Sequence, residues 1–412
     1  MSQLASSFGW NNIKGDKTLW GIVILISLLS VFPVYSASSN LEYIAGEGTT
    51  MGHVIKHLGI TAFGLGLMWT VQIIRYEYLA KLCLFLLWCF IGLLFYTSFF
   101  GTQTIDGASA SRWIKIPIIG MTFQPSSFTY VLLIIYLCRY MTRNLGKEIP
   151  AWKHILYVFG PILLVFFLVA KDNGSTALMI VGASIIVLIL GGFGWKYILG
   201  FIATASVLAS LFLMIALNTN WIKNNRVDTW KSRIETFMGN KQNDANTTII
   251  DSKENYQIAQ ATAALVHGGF TGKGPGKSAM KQMLPQSVSD FIFAIVVEEY
   301  GFLGAFSLFF LYIIILFRII MIANKVPGFF GPLLVISMGV ILFIQILVNV
   351  AVTLSIIPVT GQPLPLISYG GSAMLSTYFL LGVIINVSKG AQILNEEGLS
   401  PKQTLEEIND IA

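Results

Sequence analysis

Leu284-Pro285-Gln286-Ser287-Val288-Ser289-Asp290-Phe291-Ile292-Phe293 is where this chain stops being polar and becomes hydrocarbon again. It closes the one long polar interruption, about Asn218 to Asp290, in a sequence otherwise made of near-continuous apolar runs. The runs on either side read as helices that only need to bury themselves. The fold class follows: an all-α integral membrane protein with one large loop outside the bilayer. An acid at position 290 then sits where that loop re-enters the membrane.

Composition agrees. Of 412 residues, 55% are apolar and 11% charged, against about 25% charged in a soluble domain. Cys83, Cys89 and Cys138 all fall inside apolar runs. They form no framework for disulfides or thiolate metal ligation. The net charge of +6 reflects membrane topology rather than nucleic-acid binding, as the loops show.

A span needs roughly 20 apolar residues. Ten candidates run 18–36, 56–74, 82–100, 125–142, 154–170, 175–193, 197–217, 301–323, 328–353 and 371–388. The first is too long for a signal-peptide core, so it reads as a retained helix. The N-terminal tail and the loops after even-numbered spans carry Lys14, Lys17, Arg75, Lys81, Arg139, Arg143, Lys147, Lys153, Lys196, Arg318, Lys325, Lys389 and Lys402. The opposite short loops carry Lys56, Arg112, Lys115 and Lys171. The positive-inside rule therefore puts both termini in the cytoplasm. The chain reads as one polytopic domain, with a large extracytoplasmic loop at 218–300 between spans seven and eight and a cytoplasmic tail at 389–412.

Within the loop, Gly268-Gly269-Phe270-Thr271-Gly272-Lys273-Gly274-Pro275-Gly276-Lys277-Ser278 has the close glycines and the lysines that suit an anion such as a phosphate. It is not a Walker loop, because the spacing fails: Gly276-Lys277-Ser278 has Thr271 where the pattern requires its first glycine. A flexible surface turn with solvated lysines is the alternative. Asp290, at the start of span eight, reads either as a helix cap or as a general base. Asn substitution separates the two, since Asn caps as well but accepts no proton. Glu298 and Glu299 follow at the membrane edge, where an acid is either functional or bonded to the loop.

Three prolines in Ile357-Pro358-Val359-Thr360-Gly361-Gln362-Pro363-Leu364-Pro365-Leu366-Ile367-Ser368-Tyr369-Gly370-Gly371-Ser372 forbid a helix there. An apolar, non-helical segment at membrane depth must be buried or line a cavity, so a re-entrant element beside a pocket is expected. Arg112 beside Trp113 fits either a phosphate or an aromatic-belt anchor. His53, His57, His154 and His267 show no metal-ligand spacing.

These residues, taken in order, resemble the SEDS family (shape, elongation, division and sporulation) over nearly the whole chain. The most specific stretches are 272–278, Leu284-Pro285-Gln286 leading to Asp290-Phe291-Ile292-Phe293-Ala294, Glu298 to Gly304, and Pro358 to Ser372. The resemblance is to the cell-division branch more than the elongation branch, on Val34 to Ser38 and Arg226 to Phe237. It implies a ten-span polymerase of peptidoglycan strands that uses lipid II, with Asp290 as its essential acid. It also carries over loop positions Arg233, Tyr256 and Gln257.

For this chain the resemblance implies that Asp290 takes the proton of the acceptor 4-hydroxyl as undecaprenyl pyrophosphate departs. Candidate substrate-binding residues are Arg112, Arg233, Lys273, Lys277, Gln257, Ser368 and Tyr369, supported by Glu298, Glu299, Pro365 and Gly370. No metal ligands are assigned. A divalent cation, Mg²⁺ or Mn²⁺, would bridge substrate oxygens, and no organic cofactor is expected. Expected partners are lipid II, a class B penicillin-binding transpeptidase and other division proteins of the cytoplasmic membrane at the septum, and no nucleic acid. A lipid II flippase and a non-catalytic division scaffold are the rival functions. Three departures from the family stand out: Ser127 and Tyr130 where an acid and a lysine are usual, Asp172-Asn173 where the acid is out of register, and Ser287-Val288-Ser289 before Asp290.

Overall fold

A computed structural model of the chain describes residues 15–45, 49–74, 76–100, 113–115, 122–218, 253–284 and 287–396. Arg112, Arg233, the 226–237 segment and the tail beyond 396 lie outside the described residues. The regular secondary structure of the described part is helical apart from one short ribbon. In chain order the helices are α1 (Lys17–Leu29), α2 (Val31–Ala45), α3 (Thr50–Ile73), α4 (Tyr76–Phe100), α5 (Pro125–Arg143), α6 (Ala151–Ala170), α7 (Gly174–Leu190), α8 (Trp195–Asn218), α9 (Lys253–Gly268), α10 (Ile292–Lys325), α11 (Phe330–Thr353) and α12 (Gly371–Glu396). A π turn, Ile155–Phe159, interrupts α6. Strands β1 (Ile114–Lys115) and β2 (Thr122–Phe123) pair antiparallel.

Each predicted span falls on one of these helices, with α1 and α2 together forming the first. Seven of the described helical stretches are long and apolar enough to cross a membrane. The chain is therefore a multi-pass membrane protein. α12 lies at the centre: 83% of its most apolar window is buried, against 28% for α10. α3 packs along α12, and glycines make the close approach possible. A Cβ on Gly64 would collide with the Tyr378 ring, and one on Gly382 would press on Met68 and Val71.

The connections after odd-numbered spans meet at one end. Gln124 N donates to Ser372 Oγ at 2.8 Å, Lys171 Nζ donates to Ser98 O, and Gln362 Nε2 donates to Thr176 Oγ1 at 2.6 Å. The other end is tied by the Arg318–Asp16 ion pair and by Gly15 N donating to Gln392 at 3.0 Å.

Two boundaries differ from the sequence reading. The large loop contains a helix, α9, which packs on α10. Its apolar positions recur at helical spacing, through Ile258, Ala261 and Leu265, which is a legible signal. Span eight also begins earlier than position 301. α10 starts at Ile292 and breaks at Gly301, where φ is 67° and ψ is −167°.

Candidate functional site

The glycine-rich loop explains the break. A peptide run with φ near +67° suits glycine and strains other residues. At the break the loop takes over the missing helix bonds. Lys273 N and Gly274 N donate to the carbonyls of Glu298 and Glu299, both at 2.9 Å. In the other direction, Phe302 N donates to Gly269 O at 3.0 Å and Leu303 N to Phe270 O at 3.2 Å. The loop thus splices two half-helices, and several of its N–H groups serve the protein rather than an anion. A Cβ on Gly272 would lie 2.3 Å from Glu299 O, so the glycine there permits backbone contact.

Both acids of α10 are buried beneath this loop, at 0% and 1% exposure. Glu298 accepts from Ser278 Oγ, Ala279 N at 3.1 Å, Met280 N at 3.2 Å and Lys273 Nζ at 3.1 Å. Glu299 accepts from Ser36 Oγ of α2 and Ser278 N at 3.3 Å. Lys281 Nζ approaches the same Ser36 hydroxyl at 3.5 Å. Of the two open readings for these acids, bonding to the loop describes the geometry. Lys273 is half engaged as the ion partner of Glu298, while Lys277 is exposed. Gln257 is half-buried on α9.

Asp290 lies in a different setting. The N-cap position of α10 is Phe291, so Asp290 stands one residue before it. Asp290 occupies a turn, half-buried, held from three directions. Asn349 Nδ2, from α11, donates to Asp290 O at 2.8 Å and to Gln362 O at 2.7 Å. Ser368 Oγ donates to Ser289 O at 2.6 Å and accepts from Leu364 N at 2.7 Å. Tyr369 N donates to Val288 O at 2.9 Å. A Cβ built on Gly361 would stand 3.5 Å from Asp290 Oδ2, so the backbone at 361 runs beside the carboxylate.

Apart from the Asn349–Asp290 bond, these bonds all involve the proline-rich segment between α11 and α12. It is non-helical, with Leu364 to Ser368 buried, as the prolines and membrane depth require. Leu366 takes a positive φ of 64°, and Tyr312 of α10 donates its hydroxyl to Pro365 O. A cleft of about 40 Å³ adjoins it, lined by Gln124, Ser127, Tyr130, Thr176, Gln345 and Gln362 among others. Ser127 and Tyr130, the first departure from the family pattern, thus make its wall uncharged there. Asn173, in the second, caps α7 through Thr176 N at 3.1 Å.

The structure therefore brings Asp290, Pro365, Ser368, Tyr369 and Gly370 together, and keeps Lys273, Glu298 and Glu299 in a separate cluster. Asn349 and Gln362 are the positioning residues that motif reading missed. An amide inside the apolar run 328–353 is the signal that could have found the first. Among the described residues no three His, Cys, Asp or Glu side chains converge to hold a metal ion.

Comparison with known proteins gives one consistent picture. The family model FTSW_RODA_SPOVE, described as "Cell cycle protein", matches residues 16–393. A probable peptidoglycan glycosyltransferase FtsW of Enterococcus hirae is 30% identical, over 92% of this chain and 93% of that protein. The peptidoglycan glycosyltransferase MrdB of Escherichia coli K12 is 28% identical, over 94% and 97%. Among solved structures, a chain from a study of how a peptidoglycan synthase complex coordinates polymerization and crosslinking superposes with a TM-score of 0.68. That match has 22% identity and covers 92% of this chain and 98% of the other.

Proposed function

The chain belongs to the SEDS family of FtsW, RodA and SpoVE cell cycle proteins, and from that membership we propose that it polymerises peptidoglycan strands from lipid II. The observation that carries this reading is the Asp290 turn, pinned by the re-entrant segment beside a polar cleft. Relatives of near-equal identity carry FtsW and MrdB names. The assignment to septal synthesis therefore rests on the division-type segments at 34–38 and 226–237.

In this reading the 4-hydroxyl oxygen of one lipid II attacks the anomeric carbon of a lipid-linked strand. The bond from that carbon to the pyrophosphate oxygen breaks, and undecaprenyl pyrophosphate leaves. Asp290 accepts the hydroxyl proton. A carboxylate is a weak base, so the proton moves late, as the new bond forms. Charge develops on the departing pyrophosphate, and cations aimed at it act where they matter most. Lys277, Arg112 and Arg233 are the candidates, with Lys273 contributing from its pair with Glu298. A dedicated protein cage for a divalent ion does not fit the described residues. Such an ion would take its oxygens mainly from pyrophosphate and water, with its charge adding to the clamp.

A class B transpeptidase is the proposed partner, cross-linking the strands as they emerge. The site end of the bundle faces away from the cytoplasm, and both termini lie inside it. The test is to reconstitute the protein with its cognate transpeptidase in vesicles with fluorescent lipid II and Mg²⁺ or Mn²⁺. Polymer on a gel supports the reading. Lipid II crossing the bilayer without polymer points to a flippase, and neither result points to a scaffold.

A further inference from the structure

His57 lies on α3, wholly buried, and the proposed chemistry makes no use of it. Its Nε2 stands 2.8 Å from Ser30 Oγ, at the junction of α1 and α2. The Ser30 hydroxyl has one proton, and it is already given to Ser27 O at 2.7 Å. His57 is therefore the donor in this bond, through Nε2. The other ring nitrogen, Nδ1, is buried with no partner among the described residues. A leucine or phenylalanine would fill this apolar position without burying a polar atom, so a plain packing role does not account for the imidazole.

What the ring touches is informative. It lies 6.1 Å, centroid to centroid, from Tyr369. One turn earlier on the same face, His53 meets Tyr369 edge-on at 5.9 Å, with Nδ1 3.5 Å from the phenol oxygen. Tyr369 is the residue whose backbone N–H holds Val288 O, two positions before Asp290. Its neighbour Ser368 holds Ser289 O. The path is contiguous: Ser30, His57, Tyr369, then the Asp290 turn. The close glycine contacts between α3 and α12 at Gly64 and Gly382 make α3 a rigid base for it.

We propose that His57 is a positioning residue that, braced on Ser30, holds Tyr369 and through it sets the backbone of the Asp290 turn. This rests on the polymerase reading above. In it, His57 acts chiefly on how often the bound substrate meets a correctly placed Asp290.

The test uses the full chain with its cognate transpeptidase. Polymer formation is measured against lipid II concentration for wild type, His57→Leu and His57→Gln, with hydrogen exchange followed at 287–291 and 364–370. Expected for His57→Leu is a turnover about tenfold lower at saturating lipid II, with half-saturation within about twofold of wild type. His57→Gln, which keeps a donor for Ser30, should recover more than half of the turnover. Exchange in both segments should rise in His57→Leu and fall back in His57→Gln. Full turnover in His57→Leu, or equal losses in both variants with unchanged exchange, overturns the proposal. If wild type makes no polymer, the polymerase reading fails, and the exchange comparison still decides whether His57 sets the turn.

Discussion

Asp290 and Glu298 both flank the first turns of α10, in different surroundings. Glu298 is fully buried and meets a hydroxyl, two backbone N–H groups and a lysine. Its carboxylate is saturated with donors, and its work is to hold the glycine-rich loop over a helix break. Asp290 is half-buried in a turn whose backbone is gripped by Asn349, Ser368 and Tyr369. The protein fixes where Asp290 stands by clamping the chain around it.

Substitutions can break that contrast. The largest effect is expected for Asp290→Asn. Loss of a general base costs about 10²- to 10⁴-fold in rate, read as polymer per minute from protein that still elutes as a folded complex. Next comes Gly301→Ala. The added Cβ would lie 2.4 Å from Gly272 N and 2.5 Å from Phe270 O, backbone atoms that cannot step aside cheaply. Yield of monodisperse protein in size-exclusion chromatography should collapse. Glu298→Ala follows, leaving Lys273 and three other donors unsatisfied around an empty site. Removing one partner of a buried pair costs about 3 kcal/mol, visible as a lower melting temperature with activity per folded molecule largely kept. The smallest is Lys277→Gln. It is exposed, so the expected change is about a twofold higher half-saturating lipid II concentration, less marked at high salt.

The sequence carried the bundle well because membrane helices are set by local apolar runs. All ten predicted spans lie on helices, and the three prolines after α11 correctly marked a buried, non-helical segment. What it did not carry was set by contacts far apart in the chain. The break at Gly301 depends on a loop thirty residues upstream, so an apolar run alone could not reveal it. Hydropathy could not show that Asp290 stands just before the cap position, because it does not place a helix start to within two residues. The fates of Glu298 and Asp290 diverge through Ser278, Ala279 and Met280 on one side and Asn349 and Ser368 on the other. Only folding brings those residues to them.

The most direct measurement places Asp290→Asn beside Glu298→Gln in one assay, each purified with the transpeptidase and given saturating lipid II. Polymer is scored per folded molecule. The account predicts no polymer from Asp290→Asn, which still folds and binds lipid II, and polymer in proportion to the folded fraction from Glu298→Gln. Polymer from Asp290→Asn at the wild-type rate, or a folded but inactive Glu298→Gln, would contradict it.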